Sequence, residues 1–340
     1  MNQILKKSLR RISFSVVLLC VLLAACTSGD SGGSSGEGAI NVVTTVSPIT
    51  NLAANVGGDR IELQGIVPEG TNSHTFEPAP SDAAVMEDAD VVFINGLHLE
   101  EPTRELAEAN VGDGVEIVEL GDMTITPGEY IFDFSFPRSG GDPNPHLWTN
   151  PPYAKRYAEI IKDKLSQLDP QNADYFAKNY GKLASRFDDL DAAAHKGTES
   201  VPPENRKLLT YHDSFPYFAR EYGWEIVGAV QPADFAEPTA KEVAGLVDQV
   251  RAERIPAIFG SEVFSSPVLQ QIAEETGAEY IDDLRDDDLP GEAGDPDHSL
   301  IGLLVFDYRT FMGALGGDPT AFDGVETSNV VESDTAEYRY

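Results

Sequence analysis

The stretch from Ala173 to Lys196, ADYFAKNYGKLASRFDDLDAAAHK, decides the architecture of this chain. Phe176, Tyr180, Leu183, Phe187, Leu190 and Ala194 recur at alternating intervals of four and three, which is an apolar stripe on an α-helix. At 1.5 Å per residue the segment reaches about 36 Å, long enough to run the height of a whole domain. Gly197 and Pro202-Pro203 are expected to end it, and Pro151-Pro152 opens the helical region before it. A single long helix between two regions is a stiff connector rather than a flexible hinge.

Strand and helix signals alternate on both sides of that rod. Before it, Ile40–Val46, Ile61–Val67, Asp90–Ile94 and Val115–Val118 read as strands, with helices at Ile49–Val56, from Ser81-Asp82 through Asp88, and at Glu100–Asn110. After it, strands are expected at Lys207–Tyr211, Glu225–Val230, Ala257–Gly260 and Glu279–Ile281, with helices at Phe215–Tyr222, Ala240–Glu253, Pro267–Thr276 and Leu300–Leu315. Such alternation predicts an α/β fold of two lobes, each a mainly parallel sheet flanked by helices. The expected organisation is a signal at 1–25, a tether at 26–38, a first lobe at 39–150, connecting helices at 151–203, a second lobe at 204–323 and a polar tail at 324–340.

Lys6, Lys7, Arg10 and Arg11 precede the apolar run from Phe14 to Leu23, too short to span a membrane comfortably, so the N-terminus reads as a secretory signal. It ends in Leu23-Ala24-Ala25-Cys26, which resembles a bacterial lipobox and predicts cleavage before a lipidated Cys26. The Gly- and Ser-rich residues that follow form a flexible tether between membrane and domain. Both cysteines, Cys20 and Cys26, lie in or beside the signal, so a metal site in the mature fold must use nitrogen and oxygen. Removing the four signal cations from 24 Lys and Arg leaves 20 against 57 Asp and Glu, a net charge near −37. That balance excludes a nucleic-acid partner, whose phosphates call for a basic surface. It suits the attraction of cations, and equally the solubility of an exported protein.

Three of the six histidines stand on constrained backbone: His74 in NSHTFEP (72–78), His146 in NPHLWTNP (144–151) and His212 in LLTYHDSF (208–215). His74 and His212 follow strands, and His146 lies just before the connecting helices. Asp282 and Asp283 directly follow the expected last strand. In open α/β sheets, ligands bind beyond the carboxyl ends of strands, so these side chains are expected to meet in a cleft between the lobes. His98, His195 and His298 fit the pattern less well, and the acidic loop around Asp286, Asp287 and Asp288 reads as solvated. Glu262 is a candidate acceptor for a ligand imidazole. A zinc hydrolase would need an open coordination position and a base such as Glu77 or Glu262, and no His-Glu-x-x-His stretch is present. A receptor for an organic solute or metal chelate would instead need a roomy aromatic cleft.

The lipobox, SHTFEP (73–78) with APSD (79–82), NPHLW (144–148), YHDSFPYF (211–218) and YIDDL (280–284) together resemble the zinc/manganese ABC transporter solute-binding lipoprotein family, over nearly all of residues 40–316. The resemblance implies a non-enzymatic, monomeric receptor, lipid-anchored outside the cell membrane, that captures a divalent metal and hands it to a membrane permease. It implies His74, His146, His212 and Asp282 as ligands, with Asp283 the rival for the fourth place. His212, where manganese binders of the family often carry glutamate, favours Zn2+ over Mn2+. Many zinc-specific relatives carry a histidine-rich loop ahead of the second ligand; here Gly121 to Pro145 contains no histidine and reads EYIFDFSF at 129–136, a lid, a docking surface or a plain surface loop. Three imidazoles with ordinary pKa values near 6.5 predict an affinity that falls steeply between about pH 7 and 5.

Overall fold

The computed structural model describes residues 38–231, 238–261, 266–331 and 337–338; the signal, Cys26, Glu262 and part of the tail lie outside them. The first lobe alternates β1 (Ile40–Thr44), α1 (Ser47–Gly57), β2 (Ile61–Gly65), α2 (Asp82–Glu87), β3 (Val91–Ile94), α3 (Glu101–Asn110) and β4 (Glu116–Glu119). Helices α4 (Pro151–Leu168) and α5 (Ala173–Ser200) follow. The second lobe is β5 (Lys207–Thr210), α6 (Pro216–Tyr222), β6 (Glu225–Ala229), α7 (Ala240–Glu253), β7 (Ala257–Ser261), α8 (Pro267–Thr276), β8 (Glu279–Leu284) and α9 (Leu300–Ala314). A two-residue strand, β9 (Glu337–Tyr338), pairs with β2.

All described pairings are parallel, in the orders β4-β3-β1-β2-β9 and β6-β5-β7-β8. In each lobe the chain adds its second strand on one side of the first and its third on the other. The connections therefore diverge at β1 and at β5, and the crevice that such a reversal opens lies at the carboxyl ends of the strands. Caps fix the helix starts: Asn150 accepts from the Tyr153 amide, Ser299 from Gly302, and Thr239 forms a capping box with Glu242.

Helix α5 is 28 residues long, about 42 Å at 1.5 Å per residue, and Gly197 lies inside it rather than ending it. Gly197 serves packing instead. A Cβ there would stand 2.6 Å from Met312 Sδ and 3.1 Å from the Phe322 ring, so its bare backbone lets α9 and the following turn come close. The helix stops just before Pro202-Pro203, whose rings cannot continue it. Strand β8 also outruns its expected end at Ile281 and carries Asp282 and Asp283 within it.

One apolar core runs through both lobes. It joins Val42, Phe93 and the wholly buried α1 to Phe176, Phe187 and Leu190 of α5, and continues to Phe215, Phe218, Trp224, Tyr308 and Phe311. In that aromatic group Phe218 stands 4.7 Å from Tyr308 and 5.2 Å from Phe311, and Trp224 stands 5.3 Å from Phe311, centroid to centroid. Edge-on and tilted pairs of this kind add to the burial of their area. The connecting helices are therefore part of the core they cross. Truncating Phe218, which is fully buried, should cost about 3–5 kcal/mol of unfolding free energy. Urea denaturation of Phe218→Ala checks this, and a loss below 1 kcal/mol would mean that the cluster is not packed as described.

Candidate metal centre

Each of the three constrained histidines is aimed by a short polar contact. The His74 amide donates to Asn72 Oδ1 at 3.0 Å, fixing the turn that follows β2. Asn144 Oδ1 accepts from both the backbone N–H of His146, at 3.0 Å, and its ring Nδ1, at 2.8 Å. The Asn144 amide nitrogen donates to Asp133 Oδ2 and to the Asp213 carbonyl, so its oxygen is committed to the imidazole. Just past β5, Thr210 Oγ1 donates to the His212 carbonyl, and His212 Nδ1 lies 2.6 Å from Gln231 Oε1.

These contacts bring three Nε2 atoms together. His74 to His146 is 3.1 Å, His74 to His212 is 3.1 Å and His146 to His212 is 2.9 Å. His146 and His212 are buried and His74 is half-buried. Nitrogens at 2.0–2.1 Å from a tetrahedral ion stand about 3.3 Å apart, so the triangle has nearly the edge of a zinc coordination shell. Because Nδ1 of His146 and of His212 each faces an amide oxygen, the ring proton sits there and Nε2 keeps its lone pair. The facing lone pairs of His146 and His212 repel one another unless a proton on His74 Nε2 or a cation lies between them. Burial, and then the neighbouring imidazoles, hold His74 and His146 well below the ordinary histidine pKa.

The other expected residues lie elsewhere. Asp282 and Asp283 are exposed on β8, and the group of potential ligands within 4.8 Å of one another holds only the three histidines among the described residues. The acidic corner beyond β8 contacts sequence neighbours of the histidines instead, its carboxylates also standing outside that 4.8 Å group. Asp286 is buried, not solvated; its Oδ1 accepts from the Ser214 hydroxyl and its carbonyl accepts the Trp148 indole N–H at 2.9 Å. Asp287 is hydrogen-bonded to Ser73, and burial, with Asp288 adding repulsion, pushes its carboxyl up to about 8. The corner thus touches a residue within two positions of each histidine: Ser73, Trp148 and Ser214. No periodicity in the sequence marks this, because the contacts join segments more than 70 residues apart. His298 is buried, with Nδ1 3.2 Å from the Pro290 carbonyl and Nε2 3.5 Å from Glu69. His195 packs on Tyr222 at 4.8 Å, and Glu77 is exposed.

The loop from Gly121 to Pro145 crosses to the second lobe as a strap. Ser135 Oγ donates to the Gln231 carbonyl at 2.8 Å, and the Tyr217 hydroxyl donates to the Asn144 carbonyl at 2.9 Å. Phe136 is nearly buried, its ring 5.5 Å from His74 and 5.7 Å from His146, whereas Phe134 stays half-exposed. Burial, and then the facing Asp213 carboxylate, push the Asp133 carboxyl well above the usual carboxylate range.

Comparison with known proteins points one way. Residues 42–310 match the model of a family described as the periplasmic component A of the zinc-uptake complex. The chain is 27% identical over 303 residues to the manganese-binding lipoprotein MntA of Halalkalibacterium halodurans, covering 89% of this chain and 97% of that protein. It is 28% identical over 305 residues to the iron-binding protein YfeA of Yersinia pestis, covering 89% and 95%. The structure resembles the periplasmic zinc-binding protein TroA of Treponema pallidum with a TM-score of 0.73 at 25% identity, over 81% of this chain and 98% of that one.

If the Gln231 amide oxygen fixes the His212 tautomer, Gln231→Leu should weaken the binding of a divalent metal ion by about 10–100-fold with little loss of stability. Competition against a chromogenic chelator measures this; unchanged affinity would mean that the contact does not orient the ring.

Proposed function

This chain belongs to the zinc-uptake component A family, and on that premise we propose that it is an extracytoplasmic receptor of an ABC importer whose cargo ion is held by His74, His146 and His212. One observation carries the assignment of ligands: three Nε2 atoms lie within 3.1 Å of one another while two of the rings commit Nδ1–H to amide oxygens. The fourth donor we assign to the Asp286-Asp287 corner, with the Asp287 carboxyl favoured, in place of Asp282 or Asp283. Asp287 is held by Ser73, the residue before His74, and its desolvated carboxyl gains most when a cation replaces its proton.

Three imidazoles and one carboxylate favour zinc, a borderline ion content with four ligands, over manganese, which prefers more oxygen. Relatives named for manganese and for iron share the fold, so the metal is the finer part of the proposal. Four protein ligands leave no open position for a hydrolytic water, which separates a receptor from a zinc enzyme. Relatives named as lipoproteins support an anchor at Cys26, with the segment after it as tether and a membrane permease as the partner that receives the ion. A monomer is sufficient, because one chain supplies every donor.

Metal analysis of purified protein, followed by competitive zinc and manganese titration, tests the reading. His146→Ala or His212→Ala should abolish tight binding; retention of wild-type affinity in either variant would overturn the ligand set. A thousandfold excess of ion over Kd should add about 4 kcal/mol of stability. A thermal scan without a shift would count against a receptor.

The pH dependence differs from the one that ordinary histidines predict. Burial holds His74 and His146 well below 6.5, so neither of these two rings carries a competing proton at pH 7. The Asp287 carboxyl, raised to about 8, is protonated at pH 7 and must lose that proton to become a ligand. Affinity should therefore fall about tenfold per pH unit below 8, with about one proton released per ion at pH 7. In Asp287→Asn the release should vanish. Calorimetry in buffers of different ionisation enthalpy reads it, and equal release in the variant would remove Asp287 from the site.

A further inference from the structure

A cavity of about 160 Å³ reaches His74 from the surface, and its walls include His98, Ser135, Phe136 and Asp142. The turn bearing His98 is unusual. Gly96, Leu97 and His98 take φ values of +75°, +52° and +64°, three left-handed residues in a row, two of them with side chains. The turn is held by Glu100, which accepts from the Asn95 amide at 2.6 Å and the Thr45 hydroxyl at 2.7 Å, and by Asp122, which accepts from the Leu97 amide at 3.0 Å. Asn95 Nδ2 also donates to the Pro145 carbonyl beside His146. Strain that the surroundings hold in place points to what it presents, which is the His98 ring at the cavity mouth.

That ring is arranged as a metal-binding imidazole is. Glu101 Oε1 lies 2.9 Å from Nδ1, while the other Glu101 oxygen is taken by Arg104. A carboxylate on Nδ1 places the proton there and leaves Nε2 free to coordinate. Nε2 stands 3.8 Å from Asp142 Oδ1. Donors sharing a tetrahedral ion stand about 3.3 Å apart, and the exposed Asp142 side chain closes the difference by a small rotation.

We propose that His98 and Asp142 form an outer station for a divalent transition metal, on the wall of the cavity that His74 also lines. It rests on the reading of the buried histidines as the ion's destination. Two protein donors completed by water bind weakly, which suits a site that captures an ion and passes it inward. Asp142 lies four residues before His146 on the strap, so the station and the buried site share one segment.

The test is calorimetric titration of the full, chelator-stripped chain with Zn2+. Wild type should show one tight and one weaker event. His98→Asn, chosen because asparagine tolerates the left-handed backbone, and Asp142→Asn should each remove the weaker event and keep the tight one. His146→Ala should remove the tight event and keep the weaker. A single event in wild type, or a weaker event that survives both His98→Asn and Asp142→Asn, overturns the station and leaves an exposed ion pair. Survival of the tight event in His146→Ala instead overturns the inner ligand set, while the His98 and Asp142 variants still judge the outer one.

Discussion

The Nε2 lone pairs of His146 and His212 face one another across 2.9 Å with His74 Nε2 3.1 Å from both, and the surrounding structure serves to hold them there. Left free, the rings would rotate to water or to other partners. Asn144 and Gln231 prevent this by accepting the Nδ1 protons, and Asn144 is itself pinned by Asp133 and the Asp213 carbonyl. The result is a preorganised set of ring nitrogens, so the free energy of orienting them is spent in folding.

That preorganisation depends on the continuity of the core. The histidines come from three separate segments, and a separation held to tenths of an ångström requires those segments to be referred to one rigid body. Helices α4 and α5, the buried α1 and the aromatic group around Phe218 form that body, at the density of a protein interior. The strap and the acidic corner then close the site over it. Both reach across from one lobe to the other, and both contact residues adjoining the histidines rather than the rings alone.

Electrostatics tie these features together. The chain is strongly acidic, yet the half-buried carboxyls of Asp133 and Asp287 are pushed toward their neutral forms by desolvation and by the adjacent Asp213 and Asp288. Negative charge is thus kept mainly at the surface of the chain.

Local periodicity made the α5 stripe, the βα alternation and most element boundaries legible in the sequence, because a helix or strand is written in residues three, four or two apart. The three histidines were legible too, through prolines and polar neighbours that constrain the backbone within a few residues. Gly197 was not, since its role is set by Met312 and Phe322 more than 100 positions away. Nor was the end of β8: pairing with β7 carries the strand on through Leu284, which puts Asp282 and Asp283 on an exposed stretch. The Asp286-Asp287 corner read as solvated because a run of acids normally is. Only the fold threads it against Ser73, Trp148 and Ser214, beside the three histidines. Sequence alone therefore determined the elements and the histidines they carry, whereas the separations of those rings and the partners of their Nδ1 atoms were decided by tertiary contacts, since each depends on a distance between segments that the chain's local pattern does not encode.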